Sequence, residues 1–437
     1  MSDISIRDYS SVASSGIRKI ILDSVVSTLS DLDPARITKN FLENSPLHAG
    51  NDARLHVFGF GKASIGMVEG VKAFLGNLPE GTAVIVPKGL EVPREFSGAT
   101  VLRGSHPVLD DDSVKSTSAI LSRLTDLGTE DQVIVLISGG GSALFELPIQ
   151  GLSAADIGRI SKCVMNNGAD IVELNSIRQA LSQVKGGKLA AKLYPASVTS
   201  LIISDVPGDD PSIIASGPLV PPSVPEEQRK KIIDKYSVTC SDLSRYRSRL
   251  DMKMPMADDM IFKHVSNSII LKNMDFVERI ASYLMKSGTA VKVLRQPIVG
   301  DVADAAAMIR REALQFYSQT GEPVFLVGGG ETTVKVRGNG IGGRNTEMAI
   351  RVAQYFGPGH NFTFASLGTD GIDGVSPAMG GITDRAFLQD AMPLIPDYLE
   401  RSDSYTLLDR FNSAVVTGFT GNNVSDVFVC HYGGKVA

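Results

Sequence analysis

Short apolar runs that end in glycine or aspartate recur along this chain and alternate with segments of helical pattern. In the first half these runs are residues 55–61, 83–89, 133–141 and 200–210. The other segments space apolar residues three and four positions apart, as amphipathic helices do; they are 12–30, 36–45, 62–76, 113–127, 153–171 and 176–193. This alternation predicts β-α-β units, and therefore a parallel sheet covered by helices on both faces.

The second half continues the alternation with one difference. Strands are predicted at 266–273, 290–296, 323–330, 332–338 and 362–371, with a C-terminal run near 413–430, and helices at 274–287, 301–319 and 345–356. The neighbouring runs 323–330 and 332–338 have the pattern of a hairpin, so we expect a mixed sheet here rather than a purely parallel one.

Two domains are expected, because 437 residues exceed the size at which a single core stops growing. Residues 217–227 hold four prolines in eleven positions, which favours a linker or a long loop leaving the first domain. We therefore predict an N-terminal Rossmann-like, three-layer α/β domain at 1–228. The predicted second domain is an α/β domain with a mixed sheet at 229–437.

Composition excludes several classes of protein. A hydrophobic fraction of 43% with 21% charged residues is typical of a folded globular chain. A net charge of −5 provides no basic surface for nucleic acid, and no run of about 18 uncharged apolar residues predicts a membrane span. The three cysteines lie far apart, so we expect neither a disulfide framework nor a thiolate metal site. The start lacks the pattern of a secretory signal, and a reducing cytoplasm is the expected location.

Two strands run into glycine triplets, and both triplets are candidate ligand sites. One is Ser138-Gly139-Gly140-Gly141-Ser142, and the other is Gly328-Gly329-Gly330-Glu331. Backbone N–H groups that no side chain covers can approach phosphate or carboxylate oxygens, especially ahead of a helix. A tight turn that needs positive φ is the alternative reading of both triplets. Ligands of open α/β sheets bind beyond the carboxyl ends of the strands, where both triplets are predicted to lie.

Several basic side chains stand at similar places. Lys62 follows the strand in GFGKAS, a segment that matches neither G-x-G-x-x-G nor a Walker A motif, because Ala63 follows the lysine. Arg344 and Asn345 follow a glycine pair and begin a helix, and Lys188 lies in KGGK. Each cation suits phosphate or carboxylate binding, although a solvated surface position is the alternative for both lysines.

Acidic residues follow two other apolar strands. Asp205 directly follows LIIS, and Asp370 and Asp373 lie in GTDGIDG. Such carboxylates suit Mg²⁺, or a general base that removes a hydroxyl proton. Turn formation is the alternative, because aspartate and glycine both favour turns.

In their chain order these segments resemble the glycerate 2-kinase family, whose members carry a MOFRL-type C-terminal domain. The resemblance rests on GFGKAS (59–64), HPVLD (106–110), ISGGGSALFELP (137–148), NSIRQALSQVKGGKLA (175–190), ISDVPGDDPSIIASGP (203–218), GGGETTVKVRGNGIGGRNTEMA (328–349), LGTDGIDG (367–374), GGITD (380–384) and TGFTGNNVSDVFV (417–429). It implies a two-domain α/β fold with the active site in the cleft between the domains. It also implies phosphorylation of D-glycerate by ATP, with a divalent metal such as Mg²⁺, to give 2-phosphoglycerate.

The resemblance places the family's active-site lysine at Lys62, its arginine at Arg344 and its acidic turns at Asp205, Asp370 and Asp373. From the chemistry of the residues we then expect the following roles. Lys62 and Arg344 are catalytic cations, Asp205 orients or deprotonates the hydroxyl, and Asp370 and Asp373 bind the metal. The first glycine turn and Lys188 bind substrate or phosphate, and the second turn with Glu331 and Asn345 lines the nucleotide. A hydroxypyruvate reductase that uses NAD(P)H and a non-catalytic sugar-phosphate-binding protein are the alternatives. The pattern leaves open whether the 2- or 3-hydroxyl reacts and whether the chain forms a homo-oligomer.

Overall fold

The chain divides into two compact units, and its first helices belong with its C-terminal half. The computed structural model describes residues 4–45, 54–250 and 253–436. One unit, here called the parallel-sheet unit, spans residues 34–270, and the mixed-sheet unit joins residues 1–33 to 271–437. Helices α1 (Tyr9–Val12) and α2 (Gly16–Asp31) open the mixed-sheet unit. This division differs from the boundary expected after residue 228, because contacts across more than 200 residues decide it.

The parallel-sheet unit alternates strands and helices as predicted. Its elements are α3 (Pro34–Asn44), β1 (Leu55–Phe60), α4 (Ser64–Leu75), β2 (Ala83–Pro87), β3 (Thr100–Gly104), α5 (Asp111–Leu121), β4 (Gln132–Ile137), α6 (Gly141–Leu144), α7 (Ala154–Asn166), α8 (Ile171–Leu181), α9 (Lys188–Leu193), β5 (Ser197–Ile203), α10 (Glu226–Ser237), α11 (Ser241–Tyr246) and β6 (Val265–Leu271). The sheet order is β3-β2-β1-β4-β5-β6, and the pairings from β3 through β5 are parallel. All six residues of β4 are buried, as expected for a central strand covered on both faces.

Two details of this unit differ from the sequence-based expectations. The helix predicted at 176–193 is two helices, because Gly186 and Gly187 take positive φ values of 62° and 79° between α8 and α9. The proline-rich stretch 217–227 is not a linker between domains. The chain that follows it remains in the same unit, where Ile233, Tyr236 and Leu243 join the apolar cluster around α7 and α8.

The cysteines also depart from expectation. Cys163 at the end of α7 and Cys240 just before α11 form a disulfide, with a Cα–Cα distance of 5.9 Å. No local pattern predicts this bridge, since the two residues are separated by 77 positions and the fold alone brings them together. Among the described residues, Cys430 is the remaining free thiol, and it is buried.

The mixed-sheet unit is built on a sheet with both strand directions, as predicted. After α2 its elements are α12 (Asn273–Met285), β7 (Ala290–Val293), β8 (Ile298–Asp301), α13 (Val302–Thr320), β9 (Val324–Thr333), α14 (Arg344–Phe356), β10 (His360–Gly368), β11 (Gly380–Asp384), α15 (Arg385–Ala391), α16 (Ile395–Glu400), α17 (Ser404–Arg410), β12 (Ala414–Val415) and β13 (Asp426–Lys435). The order is β12-β11-β10-β13-β9-β7, with β8 also paired to β9. Pairings of β9 with β7 and β8 are parallel, whereas β13 is antiparallel to both β9 and β10.

The hairpin predicted at 323–338 is wrong. Residues Val324–Thr333 form one continuous strand, β9, and the mixed character of the sheet comes from β13 instead. Among the described residues, no helix is long and apolar enough to cross a membrane.

Candidate active site

The turn after β1 places Lys62 against the first glycine triplet. The Lys62 backbone N–H donates to the Gly139 carbonyl at 3.0 Å, and the next N–H, of Ala63, donates to Ser138 Oγ at 3.0 Å. Gly61 has a φ of 122°, and a Cβ there would lie 2.2 Å from Ser138 Oγ. The turn therefore requires glycine at 61, and it fixes Lys62, which is partly exposed, beside the turn that follows β4.

The glycine triplet at 139–141 forms a turn that leads directly into α6. Gly140 takes a left-handed conformation, with a φ of 88°. A Cβ on Gly141 would lie 3.0 Å from both the Phe60 ring and Ala215, and one on Gly140 would lie 2.9 Å from the His106 ring. Close packing by these neighbours thus explains the glycine requirement at 140 and 141. Backbone N–H groups in a turn of this kind can also hold an anionic oxygen.

Asp205 lies at the same edge of the sheet. It follows β5 by two residues, and its side chain is partly exposed. Phe60 pairs with Ile137, which in turn pairs with Ile202, so the three strands β1, β4 and β5 end in register. Lys62, the glycine turn and Asp205 therefore converge at one carboxyl edge, as the sequence predicts.

Lys188 does not join this group. Its Nζ donates to the carbonyls of Gln179 and Ser182 at 3.0 and 2.6 Å, and its side chain is buried. Gln179 lies in the last turn of α8, where its carbonyl also accepts the Ser182 N–H at 3.3 Å, and Ser182 follows the helix. Lys188 therefore caps the C-terminal end of α8. The predicted contact of its side chain with phosphate is not supported.

In the mixed-sheet unit, Arg344 is the centre of a charged network. Its Nε and Nη2 donate to the two carboxylate oxygens of Asp426 at 2.6 and 3.0 Å, and Nη1 donates to Glu331 at 2.8 Å. Asp426 is fully buried, whereas Arg344 and Glu331 are partly exposed. Burial by itself lowers the pKa of Arg344, but the paired Asp426 carboxylate outweighs it and raises that pKa above its ordinary value.

Asp426 is the member of this network that the sequence pattern did not predict. It begins β13, where it pairs with Gly330 of β9 on one side and Gly368 of β10 on the other. Because β13 is antiparallel to both, its amino end meets their carboxyl ends. Candidate residues at the carboxyl ends of strands therefore do not include Asp426. The pattern that could have indicated it is an acidic residue directly before an apolar run, in VSDVFV.

Asn345 and Asp373 are buried behind this network. The Asn345 side chain donates to Asp426 Oδ1 at 2.9 Å and accepts from Ser366 Oγ at 2.6 Å. Both Asp373 oxygens accept backbone N–H groups at the start of α14, from Asn345 at 2.9 Å and Thr346 at 2.8 Å. Burial raises the pKa of Asp373 to about 6, although those hydrogen bonds partly oppose the shift. Asp373 thus caps α14, and Asn345 positions the Arg344–Asp426 pair.

The expected metal pair is accordingly incomplete. Asp370 is partly exposed, and its Oδ1 accepts the Ile372 N–H at 3.2 Å, whereas Asp373 faces inward. Among the described residues, no group of three or more histidine, cysteine, aspartate or glutamate side chains is arranged to hold a metal ion. The predicted pairing of Asp370 with Asp373 at a metal is not supported, because both Asp373 oxygens are hydrogen-bonded at the start of α14.

The second glycine triplet is not a turn. Gly328, Gly329 and Gly330 lie inside β9, where their backbone is paired with β13. A Cβ on Gly329 would lie 1.9 Å from Asn273 Oδ1, and one on Gly330 would lie 2.1 Å from the Ile298 carbonyl. The triplet allows α12 and β8 to approach the strand closely, so the predicted nucleotide contact by its N–H groups is not supported.

Comparisons with known proteins agree with this architecture. The chain matches a domain of unknown function, DUF4147, over residues 20–249 and the MOFRL family over residues 324–426. It is 42% identical to a glycerate 2-kinase of Picrophilus torridus over 98% of this chain and 100% of that protein. A relative from Agrobacterium vitis with the provisional name hydroxypyruvate reductase is 34% identical over 86% of this chain and 98% of its own. The crystal structure of a glycerate kinase from Thermotoga maritima aligns with a TM-score of 0.82 at 30% identity, covering 95% of this chain and 99% of that one.

Proposed function

This chain belongs to the glycerate 2-kinase family, and on that premise we propose that it transfers the terminal phosphoryl group of ATP to the 2-hydroxyl of D-glycerate. The observation that supports this most is the convergence of Lys62, the Gly139–Ser142 turn and Asp205 at the ends of three adjacent strands. Phosphoryl transfer requires from a protein mainly positioning and charge neutralisation. A lysine, bare backbone donors and one carboxylate are suited to that task.

Each group at this edge has a defined part in the reaction. Lys62 neutralises charge on the transferred phosphoryl group, and the backbone N–H groups of the turn bind an anionic oxygen. Asp205 accepts the hydroxyl proton while the hydroxyl oxygen attacks the terminal phosphorus. The bond from that phosphorus to the bridging oxygen then breaks, and ADP leaves with the electron pair.

Arg344 is the corresponding cation of the mixed-sheet unit. Asp426 and Glu331 hold its guanidinium from two directions, so its position is set before any ligand binds. Arg344 and Glu331 are the partly exposed members of this network, and we assign contact with phosphoryl oxygens and nucleotide to them. Asn345, Asp373 and Asp426 support them from the interior.

A divalent cation is part of the proposal as the partner of ATP. Mg²⁺ takes only one or two protein carboxylates and completes its shell with water and phosphate. The Asp370–Asp373 pair does not fit as its ligand set, because both Asp373 oxygens cap α14. Asp370 is the partly exposed member of that pair, and no step of the reaction depends on its contact with the cation.

Two incubations test the proposal. The protein is mixed with D-glycerate, Mg²⁺ and ATP in one, and with hydroxypyruvate and NADH in the other. We expect ADP and 2-phosphoglycerate in the first, with the phosphate position read from phosphorus NMR. Oxidation of NADH in the second would replace the kinase with a reductase, and silence in both would leave an anion-binding protein. A 3-phosphoglycerate signal would retain the kinase and correct the regiochemistry.

A cytoplasmic location also belongs to the proposal, since ATP-dependent metabolism of small acids takes place there. The Cys163–Cys240 disulfide argues in the other direction, because disulfides are rare where thiols are kept reduced. Thiol counting in protein isolated under alkylating conditions distinguishes a reducing from an oxidising compartment. A disulfide that is absent in vivo agrees with the cytoplasm, and a disulfide present in nearly all molecules contradicts it.

A further inference from the structure

One donor in the interior of the parallel-sheet unit has no partner. Asn175 on α8 is 6% exposed, and its Oδ1 accepts the Ser216 hydroxyl at 3.1 Å. Its Nδ2 is buried and, within the described part of the chain, makes no hydrogen bond. A buried amide donor left without an acceptor costs free energy, and a bound ligand with an acceptor atom would remove that cost.

Arg178 lies one helical turn further along α8, on the same face as Asn175. Its guanidinium is partly buried, and no hydrogen bond or ion pair to it occurs within residues 54–250 or elsewhere in the described chain. Burial lowers the pKa of Arg178 below its ordinary value, and the Glu146 carboxylate partly opposes the shift. The helix therefore presents two adjacent donor groups, one of them cationic, that lack an acceptor.

The charges beneath this face already cancel each other. Glu146 is fully buried and lies 2.7 Å from the buried Lys185 Nζ. The same ammonium donates to the Ser142 carbonyl at 2.5 Å and so anchors the end of the glycine turn. Because Lys185 neutralises Glu146, the positive charge of Arg178 can bind an anionic ligand.

The unpaired donors adjoin the glycine turn. Ser216 Oγ contacts Asn175 on one side and lies 3.4 Å from Ser142 Oγ on the other. Ser216 holds this position at a positive φ of 61°, next to Ala215 at 51°, a strained conformation for both residues. Lys62 contacts the first residue of the same turn, so the turn has Lys62 at its beginning and α8 at its end.

We propose that Asn175 and Arg178 bind the carboxylate of the acceptor substrate at the Ser142 end of the glycine turn. This inference rests on the proposed kinase function and names the residues that select an acid rather than a neutral polyol. A planar guanidinium fork beside an amide NH₂ matches the planar, two-oxygen carboxylate. The ammonium of Lys62 then binds the transferred phosphoryl group, whose contacts depend less on direction than those of a planar carboxylate.

The test compares D-glycerate with D-glyceramide, which keeps the hydroxyls but replaces the carboxylate with a neutral amide. For Arg178→Gln we expect kcat/KM for glycerate to fall about 100-fold, as for loss of a charge-assisted contact. The KM for ATP and kcat/KM for glyceramide should stay within about threefold of wild type. Asn175→Asp, which places a negative charge against the carboxylate, should lower kcat/KM for glycerate more than Asn175→Ala does. The exposed Arg245→Gln is the matched control on the same unit.

Equal losses for glycerate and glyceramide in Arg178→Gln would overturn the proposal, and so would unchanged glycerate kinetics. Near-ultraviolet circular dichroism confirms folding, and Asn175→Ala provides the second variant if Arg178→Gln does not fold. Calorimetric titration of glycerate separates this inference from the kinase itself. Should the wild type bind glycerate without turning it over, binding that disappears in Arg178→Gln still supports the subsite. Equal binding in both proteins, or none in the wild type, overturns it.

Discussion

The Arg344 guanidinium engages both carboxylate oxygens of Asp426, at 2.6 and 3.0 Å, and Asp426 has no exposed surface of its own. A two-point contact between a planar fork and a buried carboxylate fixes the arginine in orientation as well as position. The orientation of the Arg344 guanidinium is therefore set by a fully buried carboxylate.

Asp426→Asn tests that dependence. The amide NH₂ would face the donors of Arg344 or Asn345, so the fork loses one acceptor and the arginine is released. We expect kcat/KM for glycerate to fall by about 10- to 100-fold and the free energy of unfolding by roughly 3 kcal/mol, as when one partner of a buried pair is removed. Steady-state kinetics and urea unfolding provide the two values. Glu331→Gln changes the exposed partner and should cost less than about 1 kcal/mol of stability; equal destabilisation by both variants would contradict the buried pair as the anchor.

The two glycine triplets show which structural features the sequence could predict and which it could not. Both follow an apolar run, and local pattern cannot distinguish a turn such as 139–141 from a strand interior such as 328–330. Asn273 and β8 decide the second case by packing against the strand, and such contacts leave no local trace. The carboxyl edge with Lys62 and Asp205 was predictable, because β-α-β alternation implies a parallel sheet and the carboxyl ends of parallel strands share one edge.

Gly329→Ala separates the structural reading of that triplet from a nucleotide site. The added methyl would lie 1.9 Å from Asn273 Oδ1, and Asn273 also donates to the carbonyls of Val424 and Asp426. We expect a loss of roughly 1–3 kcal/mol in unfolding free energy, as in other overpacked sites. The KM for ATP of the folded enzyme should stay unchanged. Gly359→Ala is the control, since a Cβ there meets no atom within 4 Å; an increase in KM for ATP at full stability would restore the nucleotide role.

Lys62→Ala removes the positively charged side chain that follows β1 at the carboxyl edge of the parallel sheet. The backbone bonds of residue 62 do not involve its side chain, so the turn should persist. We expect turnover to fall on the order of 10²-fold or more, with the melting temperature nearly unchanged. Release of ADP gives the rate, and Lys115→Ala, at a lysine with 77% side-chain exposure, is the matched control. A variant that retains near-normal turnover would remove Lys62 from the mechanism.

The Cys163–Cys240 bridge predicts a thiol count. Denatured, unreduced protein should show one reactive thiol, that of Cys430, and three after reduction. The bridge closes a loop of 77 residues, and removing it by Cys163→Ser with Cys240→Ser should cost roughly 2–4 kcal/mol of stability through the unfolded chain. Cys430→Ala leaves the bridge intact and serves as the control. Three thiols before reduction would show that the bridge does not form.

Asp373 predicts a pH dependence of opposite sign to that of most carboxylates. Burial raises its pKa from 3.8 to about 6 in the folded protein, so the folded state binds the proton more tightly than the unfolded state. Its contribution to stability is therefore largest below pH 3.8 and declines as the pH rises to about 6, by roughly 3 kcal/mol in total. Asp373→Asn does not titrate, so the unfolding free energy of wild type minus that of the variant should decrease over this interval and be level above it. Urea unfolding at half-unit pH steps measures this difference in unfolding free energy. A difference that grows with rising pH would mean that Asp373 caps α14 as an ionised carboxylate with a lowered pKa.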